Sequence, residues 1–460
     1  MEIKTGSPER KEEESLLESI GYEMTKVLEQ KPSEVWLPMV TQVEQAWWAR
    51  LIWLASVLIL AVGAGCTPVV ITRDSVSSAG EQANADSCCA SISRAGGLLA
   101  FASDASNLVD GDNNRVRDVF VRNRATLVTT RISVGLDGEE ANGESSNPFL
   151  SPDGQLVAFW SRASNLIRDD NNSRADVFVY DMRTGTTTRA SVRADGVEAD
   201  GDSLYPSISS DGNLVAFWSE AINLVDNDHN AAQDMFVRNM TTGTITRVSV
   251  SSGGVEGNGN SYGRPHISSD GRFVAFYSAA FNLVDNDSNG QEDVFVYNLM
   301  TGETTRVSVN SVGEEANGAS TNLSITSNGS LVAFYSAASN LVDDDDNGGV
   351  FIHDRDTGQV TRVSRGGAPA ISFNGRFVAF DSYEALVDDD HNEKADVFVY
   401  DRTVGTTTRS SVDSAGVEGN DHSFTASVSE EGGFVAFLSS ATNLVEGDTN
   451  KKVDIFVRRR

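Results

Sequence analysis

Five acidic loops hold the residues of this sequence whose types and spacing best fit a chemical task. Each loop carries two carboxylates, an asparagine and an aspartate at relative positions 1, 3, 5 and 9; only the last loop has a glutamate first. Alternating carboxylate and amide oxygens on a curled loop can converge on one point, and hard oxygen ligands in that number suit Ca²⁺. The predicted calcium ligands are Asp110, Asp112, Asn114 and Asp118; Asp226, Asp228, Asn230 and Asp234; Asp285, Asp287, Asn289 and Asp293; Asp388, Asp390, Asn392 and Asp396; and Glu446, Asp448, Asn450 and Asp454.

Two further loops depart from the pattern, and we expect them to bind the ion weakly or not at all. One has Arg168 at position 1, where a side-chain cation could replace the charge of the metal. The other is shorter and lacks the aspartate at position 9. Their remaining candidate ligands are Asp170, Asn172 and Asp176, and Asp343, Asp345 and Asn347.

An alternative interpretation of the loops needs no metal. Asp and Asn side chains form Asx turns, and a repeated loop repeats such turns. Against this, no basic residue recurs beside the loops in the sequence, and carboxylates packed so closely repel one another unless a cation neutralises them. An EF-hand is excluded because Val121, and no glutamate, stands at position 12 of the first loop. Both interpretations stay open, and the number of copies favours calcium.

A repeat of about 58 residues positions these loops. Each unit contains four short strands, with Asp-Gly or Thr-Gly turns and with the acidic loop between the second and third strands. Both faces of the strands are apolar, which is typical of a blade packed between two neighbours. The sequence therefore predicts an all-β, seven-bladed β-propeller. The units are marked by Phe101, Phe159, Phe217, Phe276, Phe334, Phe380 and Phe437.

The two ends of the repeat predict how the ring closes. The last unit stops after its third strand, and residues 69–76 resemble a separate fourth strand. We expect this N-terminal strand to complete the last blade, because Thr72 and Arg73 match the Thr-Arg pairs of other fourth strands. The predicted propeller spans residues 67–460.

The turns, together with the Val-Ala-Phe and Asp-Val-Phe-Val-Tyr-Asp strands, resemble the TolB-type, WD40-like (PD40) β-propeller repeat of bacterial envelope proteins. The acidic loops resemble the calcium loops of integrin-type propellers. The first resemblance covers about residues 69–460 and implies an extracytoplasmic protein of the cell envelope. It implies little about activity, because propellers host many functions.

Charge and loop length limit the partners. The formal net charge of −30 repels a phosphate backbone, so we expect no nucleic-acid partner. A second acidic feature follows the fourth strand, as in residues 138–146, and lies on the same face of the ring as the acidic loops. That loop face is the predicted binding face for a protein or glycan of the envelope, although solvated turns would give the same pattern. We expect a monomer.

The segment before the propeller predicts export. Residues 51–65 are continuously apolar, a length that suits a signal peptide better than a membrane span. Residues 47–66 are interpreted as a signal peptide or membrane anchor, and the small residues before Cys66 resemble a bacterial lipoprotein signal in which this cysteine is lipidated. An ordinary cleaved signal and an uncleaved anchor stay open as alternatives, and the protein would touch the membrane only through this segment.

Residues 1–46 form an extension that we place outside the fold. Either the true start is Met39 or the extension is a short cytoplasmic tail. Adjacent Cys88 and Cys89 are not expected to bridge each other, because vicinal geometry is strained.

Catalysis is not expected. Residues 259–263 match the G-x-S-x-G pattern, but no strand-to-helix turn surrounds the serine. The five histidines show no grouping of the kind that metal-dependent propeller lyases use. We predict a non-enzymatic, extracytoplasmic binding or scaffold protein with Ca²⁺ in its blade loops. The alternative is an envelope enzyme, a glycan lyase or hydrolase, with an unrecognised site.

Overall fold

The structure, a computed structural model, describes residues 70–343 and 348–460. The predicted extension, the signal or anchor segment, Cys66, Asp345 and Asn347 lie outside the described residues. Within the described part of the chain, no helix is long and apolar enough to cross a membrane.

In the described residues, twenty-eight strands form seven four-stranded antiparallel sheets, so the predicted all-β, seven-bladed propeller is confirmed. Blades one to seven are numbered along the chain from Ser87. Their first strands, next to the axis, are β2 (Ser87–Ile92), β6 (Ser145–Leu150), β10 (Ser203–Ile208), β14 (Ser261–Ile267), β18 (Ser320–Ile325), β22 (Gly367–Ile371) and β26 (Ser423–Val428). The second strands are β3 (Leu98–Ser103), β7 (Leu156–Ser161), β11 (Leu214–Ser219), β15 (Phe273–Ser278), β19 (Leu331–Ser336), β23 (Phe377–Ser382) and β27 (Phe434–Ser439).

The third strands follow the acidic loops, and the fourth strands form the outer edges of the blades. The third strands are β4 (Asp118–Asn123), β8 (Asp176–Asp181), β12 (Asp234–Asn239), β16 (Asp293–Asn298), β20 (Gly349–Asp354), β24 (Asp396–Asp401) and β28 (Asp454–Arg459). The fourth strands are β5 (Val128–Arg131), β9 (Thr186–Arg189), β13 (Ile245–Arg247), β17 (Thr304–Arg306), β21 (Val360–Ser364), β25 (Thr406–Arg409) and, for blade seven, β1 (Ile71–Arg73). A short 3₁₀ helix, Leu136–Gly138, lies between blades one and two.

The predicted closure is confirmed, because β1 pairs with β28 and completes the sheet of blade seven. Ile71 pairs with Arg458 and Arg73 with Phe456. Beyond the strand, the Ser75 hydroxyl donates a hydrogen bond of 2.6 Å to the Asp454 carboxylate. The first described strand and the last are therefore held in one blade.

The core repeats with the blades. In each blade, a phenylalanine of the second strand lies opposite a phenylalanine of the third, and both are fully or almost fully buried. In blade one, the Phe101 and Phe120 rings are stacked with centroids 5.7 Å apart. Short Gly turns join the first two strands on the opposite face from the acidic loops. Gly154, with φ of 73°, adopts the left-handed conformation that such a turn requires.

Candidate functional site

Among the described residues, the five acidic loops with a complete pattern and the loop of blade two each contain an arginine from the fourth strand of their own blade. In blade one, Nη1 of Arg131 lies 3.2 Å from Asp112, 3.4 Å from Asp118 and 3.3 Å from Glu140. The corresponding arginines of the other blades are Arg189, Arg247, Arg306, Arg409 and Arg73. Their side chains are 3% to 9% exposed, so these ion pairs are buried.

This finding corrects the expectation that nothing basic accompanies the loops. In five of these blades the arginine stands 13 residues after the aspartate at position 9, and in blade seven it is Arg73 of the N-terminal strand. Only the strand pairing brings the arginine and the aspartate together. It also corrects the role suggested for Arg168. The cation in that loop is Arg189, whose Nη1 lies 3.4 Å from Asp170, as in the sibling blades.

The aspartate at position 9 begins the third strand and is buried. In blade one, Asp118 accepts hydrogen bonds from the Ser133 hydroxyl at 2.5 Å and from Nδ2 of Asn114 at 3.1 Å. Burial raises the pKa of Asp118, and these hydrogen bonds act in the opposite direction. The same contacts recur around Asp176, Asp234, Asp293, Asp396 and Asp454.

The asparagine at position 5 presents its nitrogen, and not its oxygen, to the cluster. Oδ1 of Asn114 accepts the backbone N–H of Val116 at 3.1 Å, which is an Asx turn, while Nδ2 faces Asp118. The residue at position 1 stays outside and is exposed, as Asp110 is. The structure therefore gathers positions 3, 5 and 9, adds an arginine and, except in blade seven, a glutamate, and leaves position 1 in solvent.

Carboxylates remain crowded in these clusters despite the arginine. Asp287, Asp293 and Glu315 offer oxygens within 4.8 Å of one another, a grouping that could hold a metal ion. Burial, and then the charge of Asp293, raises the pKa of Asp287 to about 6. Asp112, Asp170 and Asp228 have the same shift for the same reasons. An acidic group able to hold a metal is thus present, while Ca²⁺ as its occupant stays a prediction.

In the fifth blade, part of the shorter acidic loop lies outside the described residues, and its described part carries no aspartate at the start of the third strand. Gly349 occupies the position of the aspartate at position 9 and pairs with Ser336 at the end of the second strand. Asp343, the described candidate of this loop, is exposed.

The second acidic feature belongs to the same clusters. Glu140, in the connection between blades one and two, accepts the backbone N–H of Asn113 at 2.6 Å in the acidic loop. Glu198, Glu256, Glu315 and Glu418 repeat this contact in their own blades. From the sequence we interpreted these glutamates as a separate surface feature, whereas in the structure they hold the backbone of the acidic loops.

A second candidate site, the axial cavity, lies at the centre of the ring. It has a volume of about 620 Å³ and is lined by residues from the first strands of all seven blades. Each first strand has a bulge there, since its third residue, or the second in the shorter β22, has positive φ. The seven residues are Cys89, Asn147, Tyr205, Gly263, Asn322, Ala368 and Thr425, with φ between 43° and 76°. The bulges lie near the strand ends that enter from the loop face, so the axial cavity belongs to that face.

Arg264 breaks the symmetry of this cavity. Its guanidinium donates a hydrogen bond of 3.0 Å to the Asn147 side chain of blade two and lies 5.8 Å from the Phe149 ring centroid. No carboxylate of the described residues forms an ion pair with it, whereas the six loop arginines each have at least two acidic partners. Burial lowers the pKa of Arg264, because a charged guanidinium is poorly solvated there.

Aromatic side chains flank Arg264. The rings of Tyr262 and Tyr277 meet edge to face with centroids 5.0 Å apart, and Tyr205 stacks on Trp218. The Tyr262 hydroxyl donates to Glu292 at 2.6 Å. His266 packs against Phe149, and burial together with Arg264 lowers its pKa to about 3, so its imidazole is neutral.

The sequence analysis missed the axial cavity, although one signal was present. The spacing from Phe217 to Phe276 is one residue longer than its neighbours, and the extra residue lies in β14, the first strand of blade four. This insertion introduces the Gly-Arg-Pro-His segment. Ser261 of the G-x-S-x-G match, in contrast, belongs to a serine pair that is repeated in other blades. Its hydroxyl lies 2.9 Å from that of Ser278, and the hydroxyls of Ser203 and Ser219 are also 2.9 Å apart.

No family model matches the chain, and no curated protein matches it. Solved structures are similar in fold. An oligogalacturonate lyase in complex with manganese is 15% identical, with a TM-score of 0.50 over 80% of this chain and 87% of that one. The β-propeller domain of the Trilobed protease from Pyrococcus furiosus is 12% identical, with a TM-score of 0.50 over 81% and 93%.

TolB from Acinetobacter baumannii is also among the neighbours, with 13% identity and a TM-score of 0.39 over 75% of this chain and 76% of that one. The Trilobed protease domain has an open velcro topology, whereas β1 closes the ring here. Identities this low establish the fold alone. The described residues form a closed seven-bladed β-propeller, and solved structures of a lyase and of a protease domain are similar to it in fold.

Proposed function

We propose that this protein is a non-enzymatic, extracytoplasmic binding protein that takes an acidic sugar into the axial cavity. Arg264 carries the proposal, because it is a charged side chain of the cavity and no carboxylate of the described residues forms an ion pair with it. Buried charges in proteins are normally paired, and a carboxylate is the group that a guanidinium binds best. A carboxylate on the ligand would give Arg264 the carboxylate partner that the described residues do not supply.

The remaining wall suits a sugar ring. Tyr205, Tyr262 and Tyr277 offer apolar ring surface with a hydroxyl at the edge, and Asn147 and Asn322 add amide groups. A cavity of about 620 Å³ is within the usual range for a small-molecule site. An oligogalacturonate lyase shares the fold, which makes a uronate the first ligand class to test.

The residues that line the axial cavity favour a binding role over catalysis. Of the described histidines, His266 lines the cavity, and its lowered pKa leaves it a poor proton donor near neutral pH. The apolar segment at residues 51–65 supports the proposed location outside the cytoplasm. The proposal also includes Ca²⁺ as a structural ion in the acidic loops of the same face. There it would compete with the loop arginines for the carboxylates.

Calorimetric titration of a short galacturonate oligomer, with the matched neutral galactose oligomer as comparison, tests the proposal. We expect heat with the galacturonate alone, and Arg264→Gln should weaken binding at least about tenfold, or ~1.4 kcal/mol, because a charge-assisted hydrogen bond is lost. Arg272→Gln is the matched control, since Arg272 is an exposed arginine of the same blade outside the axial cavity.

Equal affinity of the wild type and Arg264→Gln would refute the role of the guanidinium. Binding of neither sugar would refute the acidic-sugar ligand. The same mixtures, followed by ultraviolet absorbance for an unsaturated product and by chromatography for shortened chains, test the enzyme alternative. Turnover by the wild type would replace the binding proposal with a lyase or hydrolase.

A further inference from the structure

Two adjacent thiols, Cys88 and Cys89, line the axial cavity at blade one. In a regular strand, consecutive side chains point to opposite faces, which keeps neighbouring cysteines apart. Here the bulge gives Cys89 a φ of 62°, and the two sulfurs lie 2.8 Å apart in the same cavity. The bulge recurs in all seven blades, but the thiol pair occurs in this one alone.

We propose that Cys88 and Cys89 form a dithiol site that a small disulfide oxidises to a vicinal disulfide within the folded protein. The sequence argument against a bridge assumes ordinary strand geometry. The bulge removes that assumption, since it already turns both sulfurs to one side. The proposal stands independently of the acidic-sugar ligand.

The surroundings of the pair favour the reaction. The hydrogen bond between the two thiols lowers the pKa of Cys89, burial acts against this, and the nearby Arg264 guanidinium adds to the lowering. The Ser146 hydroxyl lies 3.8 Å from the Cys89 sulfur. A thiolate is the nucleophile in thiol–disulfide exchange, so Cys89 is the attacking sulfur and Cys88 the resolving one.

The exchange balances without any group from the protein other than the two thiols. The Cys89 thiolate attacks one sulfur of the small disulfide, forms a mixed disulfide and releases the first small thiolate. Cys88 then loses its proton, attacks the Cys89 sulfur and expels the second small thiolate. Two protein thiols are oxidised, one small disulfide is reduced to two thiols, and the two protons end on the released thiolates.

Peptide mapping of the full chain after treatment with oxidised glutathione tests the proposal. Trypsin releases residues 74–94 as one peptide that contains both cysteines and excludes Cys66. After blocking with iodoacetamide, we expect this peptide to be lighter by two hydrogens and unalkylated, and to regain two alkylation sites after dithiothreitol. A peptide with two alkylated cysteines, or with glutathione retained on either, would overturn the proposal.

Two variants and one control separate the site from general thiol reactivity. Cys88→Ser removes the resolving thiol, so Cys89 should stop at the mixed disulfide with glutathione. Cys89→Ser should leave Cys88 mostly unmodified over the same time. In urea the bulge is lost, and the wild type should form the vicinal bond at least about tenfold more slowly than when folded. Equal rates in the folded and unfolded chains would show that the fold does not create the site.

Discussion

At the scale of single residues, the acidic loops are arginine-centred clusters. Arg306 illustrates the arrangement, with Nη1 at 3.5 Å from Asp287, 3.4 Å from Asp293 and 3.0 Å from Glu315. The spacing of the carboxylates was visible in the sequence, and so was the recurrence of a Thr-Arg pair. Their contact was not, because it depends on how the fourth strand lies beside the third.

Arg306→Gln tests which cation these clusters need. Removal of the guanidinium leaves three crowded carboxylates, and breaking a buried pair costs roughly 3 kcal/mol, so the melting temperature should fall. Millimolar Ca²⁺ should restore part of the loss, because oxygens within 4.8 Å can share an ion. Melting curves with Ca²⁺ and with EDTA measure both effects, with Arg272→Gln as the control in the same blade.

The response of the wild type to Ca²⁺ provides the result that would contradict this competition between the arginine and the ion. If its melting temperature rises with Ca²⁺ as much as that of Arg306→Gln, the arginine and the ion do not compete for one place. The calcium prediction would then hold for the native loops without any loss of the arginine contact.

At the scale of elements, the distinctive feature is the bulge in every first strand. Non-glycine residues rarely adopt positive φ, and a β-branched one such as Thr425, with φ of 51°, is strained by about 1–2 kcal/mol. Strain of this kind is often found at functional sites, and here it surrounds the axial cavity. The strands themselves were predictable from their alternating and apolar patterns. The bulges were not, because residues as different as tyrosine, asparagine and threonine occupy them.

Substitutions at two of the bulges should change the stability of the protein in opposite directions. Thr425→Gly removes the strain and should raise the melting temperature slightly, although glycine also increases the conformational entropy of the unfolded chain.

Gly263→Ala should destabilise the protein by roughly 2–3 kcal/mol, because its new methyl group would collide with the Tyr277 ring. Gly196→Ala is the control, since Gly196 also has positive φ but has open space around it. Equal losses for the two glycine variants would contradict the collision.

At the scale of the whole molecule, closure of the ring depends on a strand of three residues, β1. Arg73 at its end lies 2.9 Å from Asp448, so the closing strand also supplies the arginine of the last acidic cluster. The ring and its closure followed from the sequence because seven similar units leave little freedom in topology. The axial cavity did not, because its chemistry arises where single blades depart from the repeat.

Removal of the closing strand should therefore destabilise the entire propeller. A chain that begins at residue 78 should melt several degrees below one that begins at residue 70, since blade seven loses its outer edge and Arg73 together. Comparison of the two shortened chains isolates β1 from the segment before it. Coincident melting curves would show that closure contributes nothing to stability.

Because β1 pairs with β28, the blade in which the chain begins is arbitrary. The backbone N–H of Arg459 donates to the carbonyl of Val70 at 2.9 Å, so the two ends of the described chain are neighbours. A short linker between them, with a new opening at the 3₁₀ turn Leu136–Gly138, would give a circular permutant with every sheet intact. The terminus of the chain can therefore lie in any blade during the evolution of such a ring, because a closed circle of repeats has no first member.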